Sequence, residues 1–231
     1  MLLYKFKGAS DALYALDIAI HERLYCSDYA SLNDPFEGQF RTYVKRRQGD
    51  FNLQFGSNFG SHGRIAYPSL DDLIGGKKVC SLTAAWSDVR MWALYGDSSR
   101  GLAFEFEVDE NHPLLRRVYY LENLYKVESR DLKATTAEEV LSFKTDHWLY
   151  EHEWRFISDS CYVQLPGQLK RILLGNRVDK AMKEAVLKVA PPNVAVHMVS
   201  LDPAEVCMQI VNPPLDRSAI DRPSREQQLR P

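Results

Sequence analysis

Residues 148–156, WLYEHEWRF, constrain the fold of this chain more than any other stretch. At the two-residue period of a strand, Trp148, Tyr150, His152, Trp154 and Phe156 fall on one face. Leu149, Glu151, Glu153 and Arg155 fall on the other. The first face is a wall of rings that needs a core to pack against. The second would hold two carboxylates about 7 Å apart, at ~3.3 Å rise per residue, with a guanidinium one step further on. Neighbouring acids repel, so a strand with only a structural task has little use for them. A site that binds a hydroxyl, steadies a positive charge or holds a metal does. The competing reading is an edge strand with a solvated outer face, on which Glu153 pairs with Arg155.

The remaining pattern places that strand in a mixed fold. Alternating or apolar segments at 2–7, 23–28, 77–83, 101–108, 116–121, 161–165, 170–174, 194–201 and 205–211 read as strands. Helices are expected over 10–20, capped by Ser10 or Asp11, and over 87–95, capped by Ser87. A third starts at Thr136, with Glu139 three residues on, and runs toward Trp148; a fourth covers 178–189 and stops at Pro191-Pro192. Strands outnumber helices without βαβ regularity. The fold class is therefore α+β, with a mixed, largely antiparallel sheet and flanking helices. Residues 1–212 are expected to form one domain, and 213–231, rich in Pro and Arg, a disordered tail. The polar, glycine-rich stretch 45–76 reads as a long mobile loop with partial helix near 69–74.

Composition removes several classes of function. The formal net charge of −2 gives no overall pull toward nucleic acid or anionic membrane. No apolar run approaches the ~20 residues of a membrane span. The four cysteines lie far apart, with no C-x-x-C and no histidine at ligand spacing, so a structural zinc site is not expected, and the leading reading below calls for no metal. MLLYKFKG turns polar too early for a signal peptide, and the reading is a reduced, cytoplasmic protein. Walker, zincin and nucleophile-elbow patterns are absent.

Other segments offer polar groups that a site could recruit. SLNDPFEG (31–38) sets Asn33, Asp34 and Glu37 at an Asx-Pro bend, which turn chemistry alone can explain. CSLT (80–83) puts Ser81 and Thr83 on one strand face, able to bind a ribose or phosphate or to satisfy neighbouring backbone. In WSDVRMWALYG, Trp92 reads as core, while Tyr95, before the flexible DSSRG, is a ring for a ligand. Lys144, expected on the helix before the acidic strand, can reach back to neutralise Glu151 or stand in solvent. His152 reads as a core histidine.

Taken in order, LYK (3–5), LYCSDYASLNDPFEG (24–38), VCSL (79–82), MWALYG (91–96), GLAFEF (101–106) and K-x-x-x-W-x-Y-E-x-E-W-R (144–155) resemble a bacterial family described as a domain of unknown function. Relatives usually carry a histidine just before the glycine of GLAFEF, where this chain has Arg100. A fainter resemblance is to ADP-ribosyltransferases, through the E-x-E pair and the Ser/Thr-bearing strand before it. That resemblance implies NAD as co-substrate and Glu153 as the catalytic acid that binds a ribose hydroxyl and stabilises an oxocarbenium-like transition state. Glu151 would be its helper toward the acceptor. Tyr4, Lys5, Ser81, Thr83, Tyr95 and Arg155 would then be cofactor-binding, and Asn33, Asp34 and Lys144 substrate-binding. Such transferases place Arg or His on the first strand, where this chain has Tyr4 and Lys5. The implied acceptor is a protein or nucleic acid, in the setting of a toxin or of phage defence. Two other readings compete: a metal-dependent nuclease built on Asp34, Glu151 and Glu153, and a non-enzymatic module that binds a ligand or partner.

Overall fold

The computed structural model describes residues 1–45, 51–56, 74–128, 131, 134–165 and 167–219. Its strands in chain order are β1 (Leu2–Lys7), β2 (Arg23–Tyr25), β3 (Ser27–Asp28), β4 (Phe40–Lys45), β5 (Phe51–Gly56), β6 (Lys78–Thr83), β7 (Leu102–Val108) and β8 (Leu115–Arg117). They continue as β9 (Tyr119–Leu121), β10 (Tyr125–Glu128), β11 (Phe143–Thr145), β12 (Glu153–Ser158), β13 (Tyr162–Gln164), β14 (Gly167–Leu174), β15 (Ala195–Asp202) and β16 (Cys207–Ile210). The α-helices are α1 (Ala12–His21), α2 (Val89–Leu94), α3 (Ala137–Val140) and α4 (Lys180–Val189). The class is α+β and strand pairing is mostly antiparallel, as the sequence implies. Among the described residues no helix is long and apolar enough to cross a membrane, and no cysteine is in a disulfide.

The sequence reads as one domain; chain contacts divide it into two compact units, each assembled from separated segments. Unit 1 comprises Met1–Arg23, Ala85–Asp109 and Gln164–Pro231. Its strands run in the order β16-β15-β14-β7-β1, all pairs antiparallel except β14 with β15. Leu3, Phe104, Phe106 and Ile172 share one face of this sheet and are buried, which supplies a core that α1 and α4 supplement with Ile18 and Val186. The other face carries Tyr4 and Phe6, and Phe6 meets Trp92 of α2 edge-on at 5.0 Å. Trp92 is fully buried, as expected of a core ring.

Two local expectations change in unit 1. DSSRG is not a loose linker: Asp97, Ser98 and Ser99 are all left-handed (φ 47, 52 and 63), and the amides of Ser98, Ser99, Arg100 and Gly101 each donate to a backbone carbonyl. Left-handed backbone costs a non-glycine residue energy, and those bonds are what hold it. The tail also begins later than Pro213. The amide of Leu215 donates to Val196, and Arg217 donates to the carbonyls of Ala190 (2.8 Å), Pro191 (2.9 Å) and Val194. Ala190 is the C-cap of α4 and the other two lie in the turn that follows, so the guanidinium ties the chain end to the close of that helix. Residues 220–231 lie outside the described part.

A chain ending at Asn212 should therefore be less stable than one ending at Ala219. Charged hydrogen bonds of this kind contribute about 1.5–3 kcal/mol, and each kcal/mol moves the melting temperature of a chain this size by about 2–4 °C. Equal melting curves for the two truncations would show that Arg217 contributes nothing.

Unit 2 comprises Leu24–Ala84 and Glu110–Val163. Antiparallel β3-β6-β12-β8 form its main sheet, with the smaller ladders β10-β4-β5 and β11-β9 beside it. Val79, Ile157, Phe40, Val127, Val140 and Leu141 pack into one apolar cluster. β5 occupies part of the stretch expected to be loop, and 74–76 form a helical turn; residues 46–50 and 57–73, with most of GSNFGSHG and of the helix expected near 69–74, lie outside the described residues.

Candidate functional site

The segment 146–158 does not form one continuous strand. Asp146–Glu151 is a 3-10 helix, His152 is left-handed (φ 43), and the strand starts only at Glu153. The expected alternating wall of rings is thus absent: Trp148 and Tyr150 belong to the helical turn, with ring centroids 6.3 Å apart. Histidine tolerates the left-handed region better than most residues. Its carbonyl accepts the Ala84 amide, which fixes the bend. From Glu153 onward the period of two holds, so Glu153 and Arg155 share a face.

The neighbouring strand carries the residues expected there. Glu153 lies opposite Thr83, and Arg155 opposite Ser81, so all four point to one side. The Ser81 hydroxyl hydrogen-bonds the Glu153 carboxylate, and Thr83 donates to the Glu151 carbonyl. The Glu153 amide donates to the Tyr120 hydroxyl at 2.8 Å, and burial pushes that phenol's pKa upward.

Arg155 organises the site. Its Nε donates to Glu153 Oε1 at 2.8 Å and its Nη2 to Glu153 Oε2 at 2.9 Å. Nη1 reaches Glu37 Oε1 at 2.5 Å and the Leu141 carbonyl at 2.7 Å, and Nη2 reaches Glu37 Oε2 at 2.8 Å. All five guanidinium donors are used, with no solvent exposure of the side chain. Glu37, 118 residues away in sequence, is delivered by the SLNDPFEG bend. There the Asp34 carboxylate accepts the Phe36 amide at 2.9 Å, and left-handed Gly38 (φ 68) turns the chain out.

Lys144 closes the cluster from β11, not from a helix, because α3 ends at Val140. Its Nζ donates to Glu151 Oε2 at 2.6 Å and to Glu153 Oε2 at 3.2 Å, and lies 4.6 Å from the centre of the Trp148 ring. The side chain is 2% exposed. Glu151 and Glu153, although on different elements, are thus joined through one ammonium. Three carboxylates facing two cations leave one net negative charge in a dry setting. Burial raises the Glu153 pKa, but Arg155 and Lys144 outweigh it and hold the group at about 2. For Glu37 burial wins over Arg155, and its pKa lies above the ordinary value. Burial lowers the Lys144 pKa, while Glu153 and Glu151 raise it further.

Beside Lys144 is a small cleft of about 10 Å³, room for one water or one ammonium, bordered by Phe36, Gln39, Tyr125, Phe143, Lys144 and Thr145. Tyr125 and Phe143 are stacked at 4.0 Å, and Phe36 is 45% exposed. Neither Glu151 nor Glu153 borders this cleft.

Asn33 is exposed beside Asp34, whose carboxylate serves the turn. Tyr4, Lys5 and Tyr95 belong to unit 1. The Tyr4 hydroxyl donates to Glu105 Oε2 at 2.7 Å, and Arg171 holds the same carboxylate at 2.8 and 2.5 Å. Burial and Glu105 push the Tyr4 pKa up. Lys5, the next residue on β1, faces the opposite side, so the two cannot line one pocket. Tyr95 ends α2 and is half-buried. Among the described residues no group of three or more His, Cys, Asp or Glu is placed to hold a metal ion. Glu37 is the residue whose weight the sequence understates; its one signal is an acid directly after an Asx-Pro turn. No family model matches the chain, and no curated protein and no solved structure matches it.

Proposed function

We propose that the chain is an NAD-consuming ADP-ribosyltransferase or NAD glycohydrolase, with Glu153 as the catalytic carboxylate and a protein or nucleic acid as acceptor. The observation that carries this reading is the state of Glu153: buried, yet held ionised at about pKa 2, at the opening of a strand whose neighbour presents Ser81 and Thr83. Breaking the bond between nicotinamide and ribose leaves positive charge on the ribosyl C1′ as the pyridine departs neutral. A fixed carboxylate in a low-dielectric site favours that charge more than it favours the ground state. In this reading Ser81 orients the carboxylate, and Glu151, one ammonium away, draws the proton from the attacking acceptor.

The test is direct. Purified wild-type protein is incubated with NAD, alone and with protein and nucleic-acid acceptors, and nicotinamide and ADP-ribose are quantified by mass. Release of nicotinamide is the expected result. A folded protein that neither binds NAD nor releases nicotinamide under any of these conditions removes the proposal, and the cleft beside Lys144 then becomes the basis for a binding module.

A further inference from the structure

The Glu153 carboxylate has no vacant acceptor position. Arg155 Nε, Arg155 Nη2, Lys144 Nζ and the Ser81 hydroxyl donate to it, which fills the roughly four lone-pair directions of a carboxylate. A ribose hydroxyl, or the charge developing beside it, can be received only if one donor leaves. Arg155 is held by five bonds, two of them to Glu37, and has no exposure. Ser81 sits on a central strand and carries no charge that would oppose an incoming cation. Lys144 differs on each count. Its ammonium ends a flexible four-carbon stem. Its charge cancels the negative charge that the proposed chemistry needs. It alone among the four donors borders the cleft.

We infer that Lys144 is the gate of this site: its ammonium occupies the place beside Glu153 that a substrate must take, and it opens by withdrawing into the cleft that its own side chain lines. In the closed form it keeps Glu151 and Glu153 together. The Trp148 face, 4.6 Å from Nζ, offers a cation a favourable contact while the stem swings. When the ammonium leaves, the cluster gains a second net negative charge, which the cationic nicotinamide ring of NAD would offset locally. Lys144 is thus a positioning residue that regulates access. Its role as a gate rests on the function proposed above, whereas the local opening of the ammonium is measured independently of it.

Amine acetylation of the wild-type protein, read by peptide mass spectrometry, tests the gate without any variant. Lys180, whose side chain is 82% exposed, serves as the reference. A gate predicts that Lys144 reacts about 100-fold or more slowly than Lys180, at a rate that stays flat in low urea because the opening is local. Saturating NAD should speed the reaction by about 10-fold by favouring the open form. If Lys144 is modified only as fast as the whole unit unfolds, tracking urea throughout, the gate is overturned. Absence of an NAD effect with a flat urea profile keeps the local opening and removes the NAD reading, and the gate with it. As a second arm, Lys144→Met keeps the stem but leaves Glu151 and Glu153 short of a counter-charge and so lowers stability. At a temperature where it is folded by circular dichroism it should raise kcat/KM for NAD by about 10-fold, mainly through a lower KM, since a closed fraction no longer taxes binding. A fall in kcat with KM unchanged would mean that the ammonium assists the chemistry, and would overturn the gate.

Discussion

Replacing Arg155 by Met is expected to unfold or nearly unfold unit 2. The substitution leaves Glu37 and Glu153, 3% and 4% exposed at their side chains, without the cation that compensates them. Removing one partner of a buried ion pair costs about 3–5 kcal/mol, and here two carboxylates lose their partner together. That approaches the whole stability of an ordinary domain, about 5–15 kcal/mol. Lysine at position 155 should not rescue the fold fully. It restores the charge, but the three donors of an ammonium cannot replace the five that the guanidinium uses here, nor its fixed bidentate fork. Neutralising Glu37 in the same chain should recover part of the loss, with a coupling of ~0.5–3 kcal/mol between the two positions. Urea unfolding followed by tryptophan fluorescence measures all three variants. An Arg155→Met protein within about 1 kcal/mol of wild type would mean that water already relieves the cluster and that its burial is overstated.

Glu153→Gln should cut nicotinamide release by about 10²-fold or more while leaving the protein folded. The sequence alone suggests that so isosteric a change is silent for stability, but the site gives a more particular reason for tolerance. Losing the Glu153 charge leaves Glu37 with Arg155 and Glu151 with Lys144, two neutral pairs in place of a cluster carrying one excess negative charge. The same edit removes the group proposed to steady the ribosyl cation. Glu151→Gln should spare NAD cleavage and impair transfer to the acceptor, because the second acid acts on the nucleophile. Turnover, NAD affinity and melting temperature are measured together. Glu153→Gln turnover within about threefold of wild type, with the fold intact, would assign the carboxylate a purely structural role.

Much of this fold follows from local chemistry, and the local readings that held are those with a short-range cause. Thr136 caps α3 by accepting the Glu139 amide at 3.1 Å, as the capping pattern requires. The Asp34-Pro35 bend forms for the reason that turn residues give, and Ser81 and Thr83 share a face because the strand period leaves no alternative. Failures occur where tertiary contact overrides the period. WLYEHEWRF alternates like a strand along its whole length, yet its first part is a 3-10 turn, since a left-handed His152 satisfies the Ala84 amide and restarts the strand at Glu153. Ser87 was the expected cap of α2, but Asp88 takes that role one residue later, accepting the Arg90 amide at 2.8 Å.

The candidate site divides the same way. The sequence by itself determined that Glu153 and Arg155 share one strand face, and Ser81 and Thr83 another, because side chains along a strand are fixed by backbone geometry; that these two strands pair is a tertiary result. Only the tertiary structure decided that Glu37 reaches Arg155 across 118 residues, that Lys144 comes from a strand and bridges both acids, and that Tyr4 serves Glu105 instead. Pairing between distant charges has no periodic signature. It is set by which carboxylates must find a counter-charge once packing has taken them out of water.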